Sequence, residues 1–315
     1  MGAMVLAAGL GTRLRPLTHE RPKPAVPVAN RPLAWFALDH LARAGVREVV
    51  LNTHYLGERL PDLLAPYLPA DLTPTYLHEP DLLGTGGGVH NARDHLLAGE
   101  HDPDAPVLLT NSDILFAPDY AAALATHRRH GAIATMVLRP DPEAARYGAV
   151  EVDPQGRVRR LLGAPQSAPE PLEALMFTGV HVLSPRAFED LPAQGCIIRH
   201  SYRRWVDEGV AVAGHVDTSP WRDLGTLEAY LQANLDLADG TLRWPGITPD
   251  PATGTLVDPT ADVPLTATLR HAVVGPGARI APHVTLERAV VWPDAEVTED
   301  ARGAVITPTQ RVSVE

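Results

Sequence analysis

Apolar residues fall first into short runs and then onto helical spacing, and the two patterns alternate along most of the chain. Ala3-Met4-Val5-Leu6-Ala7 reads as a strand that ends in a glycine-bearing turn. Beyond Pro32, the residues Leu33, Phe36, Ala37, His40, Leu41 and Ala44 keep the period of a helix, which Gly45 closes. A strand at 48–52, a helix near 56–64, a strand near 74–77, a helix near 89–97 and a strand at 107–109 continue the series. A helix at 120–130, strands at 133–138 and 148–152, and a helix at 227–237 complete it. This order predicts an α/β fold: a Rossmann-like, mostly parallel sheet with helices on both faces and ligand-binding loops beyond the carboxyl ends of its strands. The turn after Leu6 and the acid Asp113 both follow strands, so both are expected on one edge of the sheet.

Beyond residue 240 the pattern changes. A Pro- and Gly-rich stretch at 243–251 gives way to a period of six: Val257, Val263 and Leu269, then after a one-residue slip Val274, Ile280, Leu286 and Trp292. Small or branched residues recur four places on, at Ala261, Ala267, Val273, Ala278, Val284 and Val290. Sixfold recurrence predicts a short parallel β-helix in which these side chains stack inward. The expected organisation is a catalytic domain at 1–240, a linker at 241–252 and a hexapeptide-repeat domain at 253–315. So short a repeat needs further surface to complete its core, and a homo-oligomer formed through it is the expectation.

Charge narrows the function. A formal net charge of −11 over 315 residues argues against a nucleic-acid partner. Against that background Arg13, Arg15, Arg21 and Lys23 form a local basic cluster around the glycine turn. Backbone N–H groups in such a turn converge on an anion, and the cations complete a polyphosphate cradle. Neither familiar nucleotide fingerprint fits: Leu14 stands where a dinucleotide motif needs its third glycine, and Gly-Lys-Ser/Thr is absent. The single cysteine, Cys196, suits a reducing compartment, and no long apolar run suggests a leader or a membrane partner, so a cytoplasmic protein is expected.

Asp113, at the end of a strand, is either a helix N-cap or a hard-oxygen ligand for Mg²⁺. A second acid, Asp223, in a separate strand-ending motif favours shared metal ligation. The 14 histidines show no paired ligand spacing and read as surface or packing residues. The run Glu79 to Gly88 is either a flexible turn or a ligand loop.

Taken together, Leu6 to Pro16, Pro22-Lys23-Pro24, Pro27-Val28, Leu83-Gly84-Thr85-Gly86, Asn111-Ser112-Asp113, Phe177-Thr178-Gly179-Val180 and Trp221 to Thr226 resemble the signature series of the sugar-1-phosphate nucleotidyltransferases. The resemblance implies an NTP and a sugar 1-phosphate as substrates, pyrophosphate as a product and Mg²⁺ as cofactor. It implies Arg13, Lys23, Asp113 and Asp223 as catalytic residues, with the two acids on the metal. Leu6, Ala8, Gly9, Gly11, Thr12, Glu79, Gly84 and Thr85 would bind the nucleotide, with Glu79 and Gly84 at the base. Tyr147, Gly148, Thr178 and Gly179 would line the sugar site.

One departure stands out. Relatives carry Glu-Lys-Pro where this chain has Leu162-Gly163-Ala164-Pro165, which removes the lysine implied for the sugar phosphate. Arg199, Arg203 or Arg204 is either its replacement or part of a solvated helix face. Leu83-Gly84-Thr85-Gly86 and the tail, implied to be a left-handed β-helix, are similar to mannose-1-phosphate guanylyltransferases, the leading expectation. Thr85-Gly86-Gly87-Gly88, the motif Trp221-x-Asp223 and the missing Glu-Lys-Pro are instead similar to N-acetylmuramate-1-phosphate uridylyltransferases. A non-catalytic sensing or assembly subunit of the same fold is the alternative from another class.

Overall fold

The computed structural model describes residues 1–98, 105–165 and 171–314, with the side chains of Arg146 and Tyr147 outside the description. Two compact units alternate along the chain. Met1–Gly9, Phe36–Pro61 and Leu68–Trp221 form the first, and Leu10–Trp35, Asp62–Tyr67 and Arg222–Glu315 the second. This grouping differs from a linear division at 241–252. The reason is that the glycine-and-cation segment, 10–35, buries Leu14, Leu17, Val26 and Val28 in the same unit as the hexad repeat.

The first unit is a mixed α/β fold around a nine-stranded sheet. Its strands are β1 (Ala3–Leu6), β2 (Glu48–Thr53), β3 (Thr73–His78), β4 (Val107–Asn111), β5 (Ala134–Arg139), β6 (Val150–Val152), β7 (Val158–Leu161), β8 (Glu173–Leu183) and β9 (Val212–Val216). The order β3-β2-β1-β4 is parallel throughout, and β9 is parallel to β5. The long β8 runs antiparallel to β4, β5 and β6, with a register shift between Phe177 and His181. Strand β1 is a continuous apolar run because it is inner and covered on both faces; Met4 and Val5 are fully buried. In register, Leu6 stands opposite both Asn52 and Asn111. The chain leaves β1, β2 and β4 at one edge, on either side of the strand where the order reverses, which is where such sheets bind ligands.

Two local expectations change. The glycine run is helical from its first glycine: residues 79–83 are irregular, and Gly84–Asn91 is a helix, followed by Arg93–Leu97. The glycines serve close packing, since a Cβ at Gly84 would lie 2.7 Å from the Gly195 carbonyl oxygen and one at Gly87 2.7 Å from that of Ala193. Asp113 caps no helix; the chain continues into another strand, Ile114–Phe116, and Asp119 caps Tyr120–His130 by accepting from the Ala122 N–H at 2.9 Å.

In the second unit, Thr255–Val257, Thr268–Val274, Thr285–Val291 and Ala301–Ile306 stack as successive parallel rungs, and Arg311–Ser313 closes the stack antiparallel. Ala272 stands opposite Ala289, Val274 opposite Val291 and Arg279 opposite Glu296, each pair seventeen residues apart. These cycles are thus two steps of six and one of five, so the one-residue slip recurs in them, whereas the last cycle, Ala289 to Ala304, is shorter at fifteen. The slip corrects three inward assignments. Ala272, Ala289 and Val291 fill the interior, in place of Val273, Val290 and Trp292. Val273 and Val290 are buried on the opposite face of the same strands, against which the helix Leu227–Ala238 packs. No helix among the described residues is long and apolar enough to cross a membrane.

Candidate active site

The second unit gathers the signature cations. Gly11 adopts a left-handed conformation, φ +63°, and a Cβ there would meet Thr18 at 2.8 Å and the Lys23 Cβ at 3.0 Å. Glycine therefore lets the turn fold down onto Lys23. The Thr18 hydroxyl donates to the Gly11 carbonyl at 2.9 Å and fixes this fold. Lys23 is largely buried, at 8% exposure, whereas Arg13 extends outward and lies 3.9 Å from the Asp223 carboxylate. The guanidinium of Arg13 rests on the backbone of Gly225, where a Cβ would come within 2.7 Å of its Cζ. The glycine of Asp223-Leu224-Gly225-Thr226 thus makes room for the arginine of the turn.

Short 3₁₀ and helical turns hold this segment only weakly, and the rung stack braces it from behind. Glu20, three residues before Lys23, accepts from the Thr307 and Thr309 hydroxyls at 2.6 Å each and from the Gln310 amide at 2.8 Å. Arg21 stacks on Trp292, 5.7 Å from the ring centroid. The Trp292 Nε1–H donates to the Tyr230 hydroxyl at 2.9 Å, and that hydroxyl donates to the Pro27 carbonyl at 2.5 Å. The Ala29 N–H donates to Asn234 and the Asn30 amide to the Val274 carbonyl. The sequence offered no signal for this bracing, because the partners of the segment from Glu20 to Asn30 lie some 200 to 290 positions away.

In the first unit, Leu6 ends β1 with its carbonyl accepting from the Ser112 N–H at 3.1 Å, which places Asp113 directly after a tie to β1. Ala8 is buried, and nothing lies within 4 Å of a Cβ built on Gly9. Glu79, expected against the nucleobase, is turned inward at 1% exposure. Its carboxylate accepts from the Asn52 amide at 2.8 Å and from the Leu83 N–H at 3.1 Å, while Asn52 accepts from the Ala7 N–H at 2.9 Å. Glu79 and Asn52 thus tie the glycine helix to the turn after β1. Thr85 accepts from the Ile197 N–H at 3.0 Å.

At the expected sugar side, the Thr178 hydroxyl is buried and donates to the Val137 carbonyl. Gly179, φ +89°, leaves space for Asn111, and Gly148 is left-handed at φ +85°. The side chain of Tyr147 lies outside the described residues. Leu162 and Gly163, both at positive φ, form a tight turn closed by reciprocal hydrogen bonds between Leu161 and Ala164. The segment that bears Glu-Lys-Pro in relatives is here a hairpin tip with no cation. Of the suggested replacements, Arg203 pairs with Asp207 at 2.9 Å and Arg204 with Asp190 at 2.6 Å, while Arg199 is exposed.

Among the described residues no three His, Cys, Asp or Glu side chains gather as a closed metal cage.

The model of the nucleotidyl transferase family matches residues 2–240. The chain belongs to this family. Relatives include the mannose-1-phosphate guanylyltransferase of Mycobacterium tuberculosis, 31% identical over 89% of this nucleotidyltransferase and 76% of the relative. The mannose-1-phosphate guanylyltransferase catalytic subunit beta of Drosophila pseudoobscura pseudoobscura is 30% identical over 83% and 70% of the two chains. A UTP–glucose-1-phosphate uridylyltransferase of Synechocystis is 27% identical over 74% and 62%. The crystal structure of HddC from Yersinia pseudotuberculosis complexed with GMP-PN superimposes with a TM-score of 0.60 at 21% identity, covering 74% of this nucleotidyltransferase and 97% of that chain. That likeness concerns the fold. The activity is sugar-1-phosphate nucleotidyl transfer, and enzymes of this family generally use a divalent metal.

Proposed function

We propose that the protein is a mannose-1-phosphate guanylyltransferase, which joins GTP and mannose 1-phosphate into GDP-mannose and releases pyrophosphate. The observation that carries the reading is the rung stack. It shares a compact unit with the signature cations, and the relatives named for this activity match 83% and 89% of the chain, past residue 240 where the family model ends.

A phosphate oxygen of the sugar 1-phosphate forms a bond to the α-phosphorus of the NTP while the bond from that phosphorus to the β-bridging oxygen breaks. The electron pair leaves with pyrophosphate. No protein nucleophile enters, so the protein positions two anions and offsets charge as it moves. In our reading Arg13 and the amides of residues 9–12 hold the departing phosphates, and Lys23 stands by the α-phosphate. Gly84 and Thr85 present backbone to the base, from a helix that Glu79 and Asn52 hold in place. Gly148, Thr178 and Gly179, with Tyr147, line the sugar site. Asp113 and Asp223 would hold Mg²⁺, which when bound neutralises triphosphate charge.

Measurement of pyrophosphate release across four NTPs and a panel of sugar 1-phosphates tests the assignment. GTP with mannose 1-phosphate is expected to be the best pair, and chelation by EDTA to abolish turnover until Mg²⁺ is restored. UTP with N-acetylmuramate 1-phosphate is the alternative that the hairpin at 162–163 favours, and its dominance would overturn the guanylyl reading.

For the tail we propose a left-handed β-helix, supported by the hexad period, and a homo-oligomer formed through it. The fully exposed Leu265 and the exposed Val257 support the latter. Light scattering that returns a monomer mass of 33.8 kDa at micromolar concentration would contradict oligomerisation.

A further inference from the structure

Among the described residues, the wall expected to meet the sugar offers few polar side chains. Thr178 is buried; its hydroxyl donates to the Val137 carbonyl at 2.8 Å, and its own carbonyl accepts from the Trp221 Nε1–H at 3.0 Å. Gly148 and Gly179 carry no side chain, and the hairpin at 162–163 presents only Leu and Gly. One neighbouring side chain differs. The Asn111 carboxamide makes no hydrogen bond to any described residue, yet neither of its polar atoms is shut off from solvent, and the residue as a whole is half-buried.

Three strands set its position. Asn111 ends β4 opposite Leu6, the last residue of β1, and its neighbour Thr110 stands opposite Val180 of β8. On β8 the register against β5 shifts between Phe177 and His181, and Gly179, inside that shift, adopts φ +89°. Irregularities of this kind re-aim a strand and collect beside active sites. A Cβ at 179 would lie 2.7 Å from the Asn111 Nδ2 and 3.0 Å from its Cγ. The carboxamide therefore lies against the bare backbone of Gly179, and any side chain there would displace it. The glycine of Thr178-Gly179-Val180 makes room for this amide. A carboxamide presents two N–H donors and an acceptor oxygen, which matches a pair of neighbouring hydroxyl groups. It carries no charge, so it suits a sugar ring rather than a phosphate.

We propose that the Asn111 carboxamide, held in place by Gly179, binds hydroxyl groups on the sugar ring of the sugar 1-phosphate. The assignment rests on the sugar-1-phosphate reading of the site, and it adds a residue to that site whichever sugar is used. A hydrogen bond to the ring, remote from the reacting phosphorus, is kept from bound substrate to transition state, so its loss falls on affinity and leaves kcat nearly unchanged. The ribose of the NTP also carries hydroxyls, and the test separates the two.

The test uses the full chain and the NTP and sugar 1-phosphate pair that the wild-type enzyme turns over best. Asn111→Leu keeps the shape against Gly179 but not the hydrogen bonds, and its KM for sugar 1-phosphate is expected to rise about 10-fold, as is that of Asn111→Ala. The kcat, the KM for the NTP and the Mg²⁺ concentration for half-maximal rate should each stay within about twofold. Monodeoxy sugar 1-phosphates then locate the contact. Wild type is expected to lose about 10-fold in KM on the analogue that lacks the bound hydroxyl, and Asn111→Leu to lose nothing further on it. An unchanged sugar-phosphate KM in a folded variant overturns the assignment. So does a rise confined to the NTP, which marks a ribose contact, or a raised Mg²⁺ requirement, which marks action through Asp113. A joint rise in both KM values with a lowered melting temperature, or failure of both variants to fold, marks a structural role and overturns it too. Should only the Leu variant fail to fold, the Ala variant decides. Failure of the sugar-1-phosphate reading itself looks different: the wild-type enzyme then releases no pyrophosphate with any sugar 1-phosphate.

Discussion

The two units handle their functional residues in opposite ways. In the first, polar side chains at the strand ends are withdrawn from solvent and spend their hydrogen bonds on one another, as in the chain from Ala7 through Asn52 and Glu79 to Leu83. What such a network presents outward is backbone, held in a fixed shape. In the second, Arg13 reaches into solvent with 64% of its side chain exposed, on a segment with little regular structure of its own. Its order comes from the rung stack behind it, through Glu20, Arg21, Pro27, Ala29 and Asn30. The contrast has a simple cause. On the proposed reading, a base is recognised by shape and neutral hydrogen bonds, which a buried network can fix, whereas a polyphosphate needs full positive charges, which are expensive to bury. Arg13 stays at the surface, and only Lys23, at 8% exposure, is drawn in. Charges left at the surface need a scaffold that does not enclose them.

The sharpest way to test this division is Lys23→Ala. Loss of one preorganised charge contact is expected to cost about 3 kcal/mol in the transition state, roughly a hundredfold in turnover, with the fold retained. Near-normal kcat would remove Lys23 from the chemistry.

Acid should strike the first unit. Burial, with Arg186 and Arg128 adding, pushes the His127 pKa down to about 4, and burial pushes His181 down to about 3. In the unfolded chain both titrate near 6.5, so between about pH 6.5 and 4 the unfolded state takes up protons that the folded state refuses. Stability is fully present above about 6.5 and falls as pH drops through that window, by about 3 kcal/mol for His127 alone. Hydrogen exchange at pH 7.5 and 5 is expected to show protection lost first in β5 and β8; loss beginning in the rung stack would reverse the comparison.

A smaller effect should follow from cutting the brace. Glu20→Ala removes the acceptor of three hydrogen bonds and is expected to cost about 2 kcal/mol in denaturant unfolding, with a raised KM for the NTP. An unchanged NTP affinity would show that the stack supports the fold but not the cradle. The smallest change is expected for Glu79→Gln, about 1 kcal/mol, because the amide keeps one acceptor for the two donors that face it. A large loss there would mean that the charge itself is used.

Much of the fold was readable because it is local. The strands before Gly9 and Asp113, the helix from Leu33 and the period of six are patterns of neighbours; the strands and the helix appear where expected, and the hexads form stacked strands with three inward positions shifted. The slip in the hexads was visible as well. Its recurrence was not, because which valines face inward depends on pairing seventeen residues away. Glycine counts suggested a turn at 84–87, where a helix instead packs against the chain at 192–195.

The amino-acid order by itself determined the chemistry on offer: a glycine turn with arginine and lysine, strand-ending acids and a family signature, all encoded within short windows. Only the tertiary structure decided how those groups are used. It turned Glu79 inward, set the rung stack behind Lys23, and laid the Asn111 carboxamide against Gly179. Burial and hydrogen-bond satisfaction belong to residues that meet across the fold, and no window of sequence contains both partners.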